Sequence, residues 1–149
     1  MHRKEFIRVC SAICLGGSAM AVLPQGCASA NYYAATELSG NQLIIRKSAF
    51  SLEEQYKPAY RKHVLVNISA FNYPIIVYRF DGETYSALLL ECTHKSCELL
   101  PQGDYLVCPC HGSEFSNRGI VQNPPAEQNL RTFQVKQDEE NVYIQLRVS

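Results

Sequence analysis

Several features that this chain of 149 residues lacks narrow its function before any motif is considered. It has no excess of charge, because 14 basic and 14 acidic side chains give a formal net charge of zero. Balanced charge provides no electrostatic case for a nucleic acid or for a strongly acidic partner. No helical period is long enough to predict a helical fold, and no internal repeat is present. We also identify no convincing nucleophile–base pair, phosphate-binding loop or second metal motif, so the sequence does not predict a resident enzyme active site.

The hydrophobic run near the start is too short to cross a bilayer comfortably. Residues 9–23 form a 15-residue apolar stretch, whereas a membrane-spanning helix needs about 20 such residues. Arg3 and Lys4 precede the run, and small residues follow it. This layout predicts an export signal over residues 1–26, which we exclude from the fold.

Two motif resemblances refine the expected export segment. Residues 3–8 resemble a twin-arginine export motif in which Lys4 replaces the second arginine. Residues 23–27 resemble a bacterial lipobox, which predicts a lipid-anchored Cys27. The alternatives are an uncleaved anchor helix and simple cleavage with release. All three place the domain outside the cytoplasm, where disulfides persist.

The remaining chain predicts an antiparallel all-β domain over residues 42–149, after a linker at 27–41. Alternating apolar residues and turn signals mark the strands. The predicted strands are 42–46, 63–69, 74–80, 83–91, 131–136 and 142–148. Asp81 and Gly82 predict a tight turn between the third and fourth. Residues 51–54 have the spacing of a capping box, which predicts a short helical turn limited by Pro58. His63, alone at a strand start, is interpreted as structural or exposed.

Four of the seven cysteines lie within residues 92–111, together with two histidines. Cys92 and His94 form a Cys-x-His pair, and after 13 residues Cys108 and His111 form a Cys-x-x-His pair. Clustered cysteines beside histidines indicate a metal site, although some can also form disulfides. Two thiolates and two imidazoles fit either tetrahedral zinc or an iron–sulfur cluster with mixed ligands. Each half mixes the two ligand types, unlike common zinc fingers.

The blocks 92–97 (CTHKSC) and 108–113 (CPCHGS) resemble the signature of Rieske [2Fe-2S] proteins of the high-potential type. The resemblance implies a Rieske-like antiparallel β-sandwich with a small cluster-binding subdomain, formed by two loops at about 91–126. It implies one [2Fe-2S] cluster per chain, with a potential of roughly −150 to +300 mV. It further implies that the cysteines Cys92 and Cys108 bind one iron and that the histidines His94 and His111 bind the other.

Further residue roles follow from the same resemblance. A disulfide is implied between Cys97 and Cys110, and Ser113 is implied to donate a hydrogen bond to a bridging sulfide of the cluster. Phe115 stands where other members carry a tyrosine that donates to a ligand cysteine, so we expect a lower potential than in those members. Lys95 stands where leucine is common in quinol-oxidising members. Asn123-Pro124-Pro125-Ala126 resembles the cover loop that shields the cluster from water.

The expected function is therefore electron transfer outside the cytoplasmic membrane, to which a lipid anchor or the N-terminal segment attaches the protein. The chain is either a free carrier or the iron–sulfur subunit of a quinol-oxidising complex, so a cytochrome b/quinol complex or a c-type cytochrome is its expected partner. The alternative is a structural zinc-binding module without a redox role.

Overall fold

A computed structural model describes residues 31–52 and 58–147 of the chain. The predicted export segment and Cys27 lie outside the described residues, and so does part of the helical turn predicted at 51–54. Within the described ranges, no helix combines the length and the apolar character that crossing a membrane requires.

The described chain is built almost entirely from short strands, as the sequence predicts. They are β1 (Thr36–Ser39), β2 (Gln42–Arg46), β3 (Ser51–Leu52), β4 (Ala59–Tyr60), β5 (His63–Val66), β6 (Ile75–Phe80), β7 (Thr84–Leu89), β8 (Leu100–Gln102), β9 (Tyr105–Val107), β10 (Glu114–Ser116), β11 (Val121–Asn123), β12 (Thr132–Gln137) and β13 (Asn141–Gln145). One 3₁₀ turn, Lys47–Phe50, follows β2.

Antiparallel pairing organises these strands into three sheets. A seven-stranded sheet has the order β1-β2-β13-β12-β7-β6-β5, a four-stranded sheet has the order β11-β10-β9-β8, and β3 pairs with β4. The predicted all-β antiparallel fold is confirmed. The β6–β7 hairpin differs from expectation in its turn, because Phe80 pairs with Thr84 across a three-residue loop. Gly82 and Glu83, rather than Asp81, take the positive φ angles of 73° and 58°.

Residues 32–39, which belong to the stretch expected to be a linker, pair with strands of the large sheet. The last of these residues form β1, which pairs with β2 around Gly40 at a φ of 61°. Before β1, Tyr33 forms a parallel bridge to Leu65 of β5, the strand at the opposite edge. A single stretch of chain therefore forms one edge strand of the seven-stranded sheet and bridges to the strand at the other edge. The polar sequence of β1 shows no period because both of its faces are largely exposed.

The central strand β6 separates two hydrophobic cores. Ile75 and Val77 pack into the first core, inside the seven-stranded sheet. Ile76 and Tyr78 pack into the second, on the opposite face. All four are at most 1% exposed. Burying an aliphatic side chain of this size contributes about 1.5–3 kcal/mol, so both faces of β6 stabilise the fold.

The second core joins the large sheet to the four-stranded sheet. Leu88 of β7, Leu106 of β9 and Phe115 of β10 meet there, together with Cys92 and Cys108. The β8–β9 hairpin connects the two Cys/His blocks, and β10 begins directly after the second block. This packing holds both blocks at one end of the small sheet.

Candidate metal centre

The first block forms a closed loop at the end of β7. The backbone N–H of Cys92 donates to the Cys97 carbonyl at 2.9 Å, and the Ser96 N–H donates back to the Cys92 carbonyl at 2.8 Å. Ser96 itself adopts a left-handed φ of 49° at the end of this turn. The loop is thereby fixed by its own backbone.

The second block repeats this geometry. The Cys108 N–H donates to the Ser113 carbonyl at 2.8 Å, and the Gly112 N–H donates to the Cys108 carbonyl at 3.0 Å. Gly112 takes the left-handed position with a φ of 78°. Residues 92–97 and 108–113 are therefore two matching six-residue loops. Cys92 and Cys108 occupy the same first position, whereas the second cysteine and the histidine occupy different positions.

A disulfide joins the two loops, as the sequence predicts. It connects Cys97 to Cys110 with a Cα–Cα distance of 6.6 Å. The sulfur of Cys108 lies within 4.8 Å of both disulfide sulfurs. The covalent link therefore lies directly beside one of the four predicted ligands.

The other two thiols of the blocks lie close to each other, and the two imidazoles of the blocks are in contact. Cys92 and Cys108 are buried, and neither forms a disulfide. Burial raises the pKa of the Cys92 thiol. The rings of His94 and His111 meet edge to face, with centroids 4.9 Å apart. His111 is exposed, whereas His94 is partly covered.

This donor set fits a mixed thiolate–imidazole iron–sulfur centre. Nδ1 of His94 is buried and has no hydrogen-bond partner among the described residues. A buried polar atom without a partner is costly unless something outside the chain satisfies it. The two buried thiols of the same loops supply the soft ligands that iron–sulfur clusters take.

Ser113 has the burial expected of a residue that tunes the cluster. It is 0% exposed, and its Oγ accepts a hydrogen bond from the Ala126 N–H at 3.0 Å. Since the oxygen accepts this bond, the hydroxyl proton is available for another acceptor. The predicted bond to a bridging sulfide stays a prediction.

The proline-containing segment is fixed to both loops. Asn123 donates from Nδ2 to the Gly112 carbonyl at 3.2 Å, and Thr93 donates from Oγ1 to the Gln128 carbonyl at 2.6 Å. Pro124 and Pro125 are exposed and joined by a cis peptide bond. The segment 123–128 thus closes one side of the site.

Sequence reasoning missed three supports of the site. Thr93 and Asn123 bind the backbone carbonyls just described, and the Tyr73 hydroxyl donates to the Ser96 carbonyl at 2.8 Å. The last bond steadies the left-handed residue of the first loop. Thr93 and Asn123 lie in the resembled motifs, but the motifs do not reveal these bonds, because each acceptor is a backbone carbonyl distant in sequence.

The two departures from the resembled pattern lie in different surroundings. Phe115 is 0% exposed and packs in the second core with the two buried thiols. Lys95 is exposed on the first loop, next to His94. One departure therefore affects the interior of the site and the other affects its outer surface.

Comparison with known proteins identifies the family. A family profile described as the Rieske [2Fe-2S] domain matches residues 51–134, more than half of the chain. The chain belongs to the Rieske family. The cofactor of this domain is a [2Fe-2S] cluster, and its role is electron transfer.

Two curated relatives and one solved structure resemble parts of this Rieske chain. A cytochrome b6-f complex iron-sulfur subunit of a Nostoc species is 34% identical over 55 residues, covering 36% of this chain and 31% of the relative. A ubiquinol-cytochrome c reductase iron-sulfur subunit of Rickettsia felis is 48% identical over 42 residues, covering 26% and 24%. The plasma membrane Rieske protein of Synechocystis PCC 6803 superposes with a TM-score of 0.50 at 28% identity, over 56% of this chain and 85% of that one.

Proposed function

We propose that the chain carries one electron at a time on a cluster bound by Cys92, His94, Cys108 and His111. The observation that carries this proposal is that two matching loops present two buried free thiols and two imidazoles that contact each other. The bound cluster supplies a one-electron redox couple, and histidine ligation raises its potential above that of an all-cysteine cluster.

The protein surrounds the two sides of the site differently. Cys92 and Cys108 are 1% exposed and lie in the second core. His111 is exposed, and His94 is partly exposed. The cysteine side excludes water, and the histidine side opens to the surface. Electrons therefore enter and leave through the histidine side, where a partner can approach.

The segment 123–128 limits access of water to this side. It bonds to Gly112, Ser113 and Thr93, so each loop is held against it. A held cover keeps the charge of the site in a constant environment, which fixes the potential. The Cys97–Cys110 disulfide links the same two loops covalently.

The proposed location is the outer side of the cytoplasmic membrane, with attachment through the N-terminal segment or a lipid on Cys27. The export pattern in residues 1–27 supports it. The proposed partner is a cytochrome, since two relatives are named as iron–sulfur subunits of cytochrome complexes. The chain covers less than a third of the length of those relatives.

A redox titration of the purified chain, followed by EPR, tests this function. We expect a signal from the reduced protein that disappears on oxidation as a one-electron transition. The variants His111→Ala and Cys108→Ala should lose the signal, whereas His63→Ala, which changes a histidine distant from the loops, should keep it. A colourless, EPR-silent protein containing zinc would contradict the proposal.

A further inference from the structure

Arg131 lies at the junction between the large sheet and the first metal loop. Its carbonyl accepts a hydrogen bond of 3.0 Å from the Leu89 N–H, and the next residue, Thr132, pairs with Leu88 in the β12–β7 ladder. Leu89 ends β7, three residues before Cys92. The backbone that carries Arg131 is therefore fixed to the strand that leads into the metal site.

Two aromatic rings hold the side chain of Arg131. Its guanidinium carbon lies 4.7 Å from the ring centroid of Phe71 and 5.1 Å from that of Phe133. The two rings contact each other with centroids 5.5 Å apart, and Phe133 belongs to the first core. A guanidinium on an aromatic face is attracted by the ring quadrupole. The charge of this exposed arginine is therefore held in one place.

A small cleft connects Arg131 with the first metal loop. It has a volume of about 230 Å³ and is lined by Leu89, Glu91, Cys92, Thr93, Ser96, Gln128 and Arg131. Cys92 closes the cleft toward the interior, since this residue is only 1% exposed. The ion pairs among the described residues involve neither of the two charged side chains of the cleft, Arg131 and Glu91. No direct carboxylate contact within the described chain therefore neutralises the guanidinium.

A positive charge at this position favours the reduced form of the metal site. Reduction adds one negative charge to the site, and opposite charges attract with an energy that falls with distance and with the dielectric constant between them. The effective dielectric constant near a protein surface is about 20, well below that of bulk water. A guanidinium held across a small cleft from Cys92 therefore stabilises the added electron.

We propose that Arg131 helps to set the reduction potential: its guanidinium, held on Phe71 and Phe133, raises the potential of the cluster bound through Cys92. This inference rests on the proposed function and adds a residue outside both metal loops to the site. Glu91 in the same cleft acts in the opposite direction, because its carboxylate disfavours the added electron.

Redox titration of the cluster-loaded, full-length protein, followed by EPR, tests the sign of both charges. Arg131→Gln should lower the midpoint potential, and Glu91→Gln should raise it. Arg131→Lys keeps the charge but loses the planar group that stacks on the rings. Its potential should therefore lie between that of native protein and that of Arg131→Gln.

Arg118 provides the matched control. Its guanidinium carbon also lies over an aromatic ring, 4.2 Å from the centroid of Phe80, and its side chain is likewise exposed. Arg118 belongs to none of the ion pairs among the described residues. Strand β10, which spans about 10 Å, separates it from the second metal loop. Arg118→Gln should therefore shift the potential much less than Arg131→Gln.

Ionic strength distinguishes a charge effect from a structural one. The difference in potential between native protein and Arg131→Gln should shrink as the salt concentration rises from about 0.01 M to about 1 M, because ions screen exposed charges. A difference that is independent of salt and accompanied by an altered EPR line shape would mean that the loop has moved, and would overturn the charge effect.

Two further outcomes would contradict the role of Arg131. One is an equal potential for Arg131→Gln and native protein at low salt, with identical EPR spectra. The other is a shift of the same sign in Arg131→Gln and Glu91→Gln. Absence of a cluster signal in the native protein would instead overturn the proposed ligand set.

Discussion

Ile75 and Ile76 are adjacent, identical and fully buried, yet they serve two regions built in different ways. Ile75 packs inside the seven-stranded sheet, where strands of four to six residues form continuous ladders. Ile76 packs beneath the metal loops, where the four strands have three residues each. Short ladders hold loops weakly, and a disulfide and side-chain bonds to backbone carbonyls supplement them here. Fold stability and site geometry thus come from different interactions.

Removing a predicted ligand should give the largest difference between the two regions, because the metal site is lost while the large sheet stays folded. Cys92→Ala should abolish the EPR signal and visible absorption of the cluster, because three ligands do not complete the donor set. Far-UV circular dichroism should remain that of a β protein, since the first core contains none of the predicted ligands. A variant that kept a full cluster signal would show that Cys92 is not a ligand.

The adjacent isoleucines provide a matched pair of core deletions. Ile75→Ala and Ile76→Ala should each lower the free energy of unfolding by about 2–5 kcal/mol, from lost burial and the cavity left behind. Only Ile76→Ala should also shift the EPR line shape or the potential of the cluster. Denaturant unfolding combined with EPR distinguishes them, and identical spectra for the two variants would mean that the second core does not support the site.

Opening the disulfide should loosen the site without unfolding the large sheet. The double variant Cys97→Ser/Cys110→Ser should destabilise the loop region by about 3 kcal/mol, as expected for a closed loop of this length. On heating, the visible absorption of the cluster should be lost well before the far-UV signal. Coincident transitions in the double variant would argue against separate stabilisation of the loops.

Phe115 should affect the potential more than the stability. Phe115→Tyr introduces a hydroxyl into the core beside the buried thiols, and a hydrogen bond to a thiolate would stabilise the reduced, more negative site. A bond of about 1 kcal/mol corresponds to an upward shift of roughly 40 mV for one electron. Redox titration measures it, and Phe133→Tyr in the first core is the control. An unchanged potential would exclude the missing hydroxyl as its determinant.

The smallest expected effect is confined to the turn between β12 and β13. The Tyr143 hydroxyl, with the Asn141 and Glu140 N–H groups, lowers the pKa of Asp138. Stability from this carboxylate is therefore present above its unfolded pKa of about 3.9 and lost as the pH falls through the lower folded pKa. Asp138→Asn should be less stable than native protein at pH 7 and differ less at pH 2. A difference independent of pH would contradict this origin.

The sequence predicts the large sheet better than the small one for a physical reason. The strands β2, β6 and β7 alternate or run apolar over five or six residues, and turn residues bound them. The strands β8–β11 are too short for a period to be detected in the sequence. Their extended conformation depends on packing against the second core. The sequence of β1 gives no strand signal either, because its extended conformation comes from pairing with β2.

In the site, too, features that are local in sequence can be predicted, and contacts between residues distant in sequence cannot. Ligand types and spacing are local, so the predicted donor set is visible in two six-residue blocks. Its supports are distant, since Thr93 bonds to a carbonyl 35 residues away and Tyr73 to one 23 residues away. Gly119 shows this too, because a Cβ there would lie 3.0 Å from Leu88 Cδ2, a contact that only the fold creates.

The most direct test of the mixed ligand set is pulsed EPR of the reduced protein labelled with ¹⁵N-histidine. Two imidazole nitrogens coupled to the cluster spin are expected in the native chain and in His63→Ala, whereas His94→Ala and His111→Ala should lose the cluster signal. Absence of histidine nitrogen coupling in a native protein that still carries a cluster would mean that thiolates alone bind the iron, and would contradict the assignment.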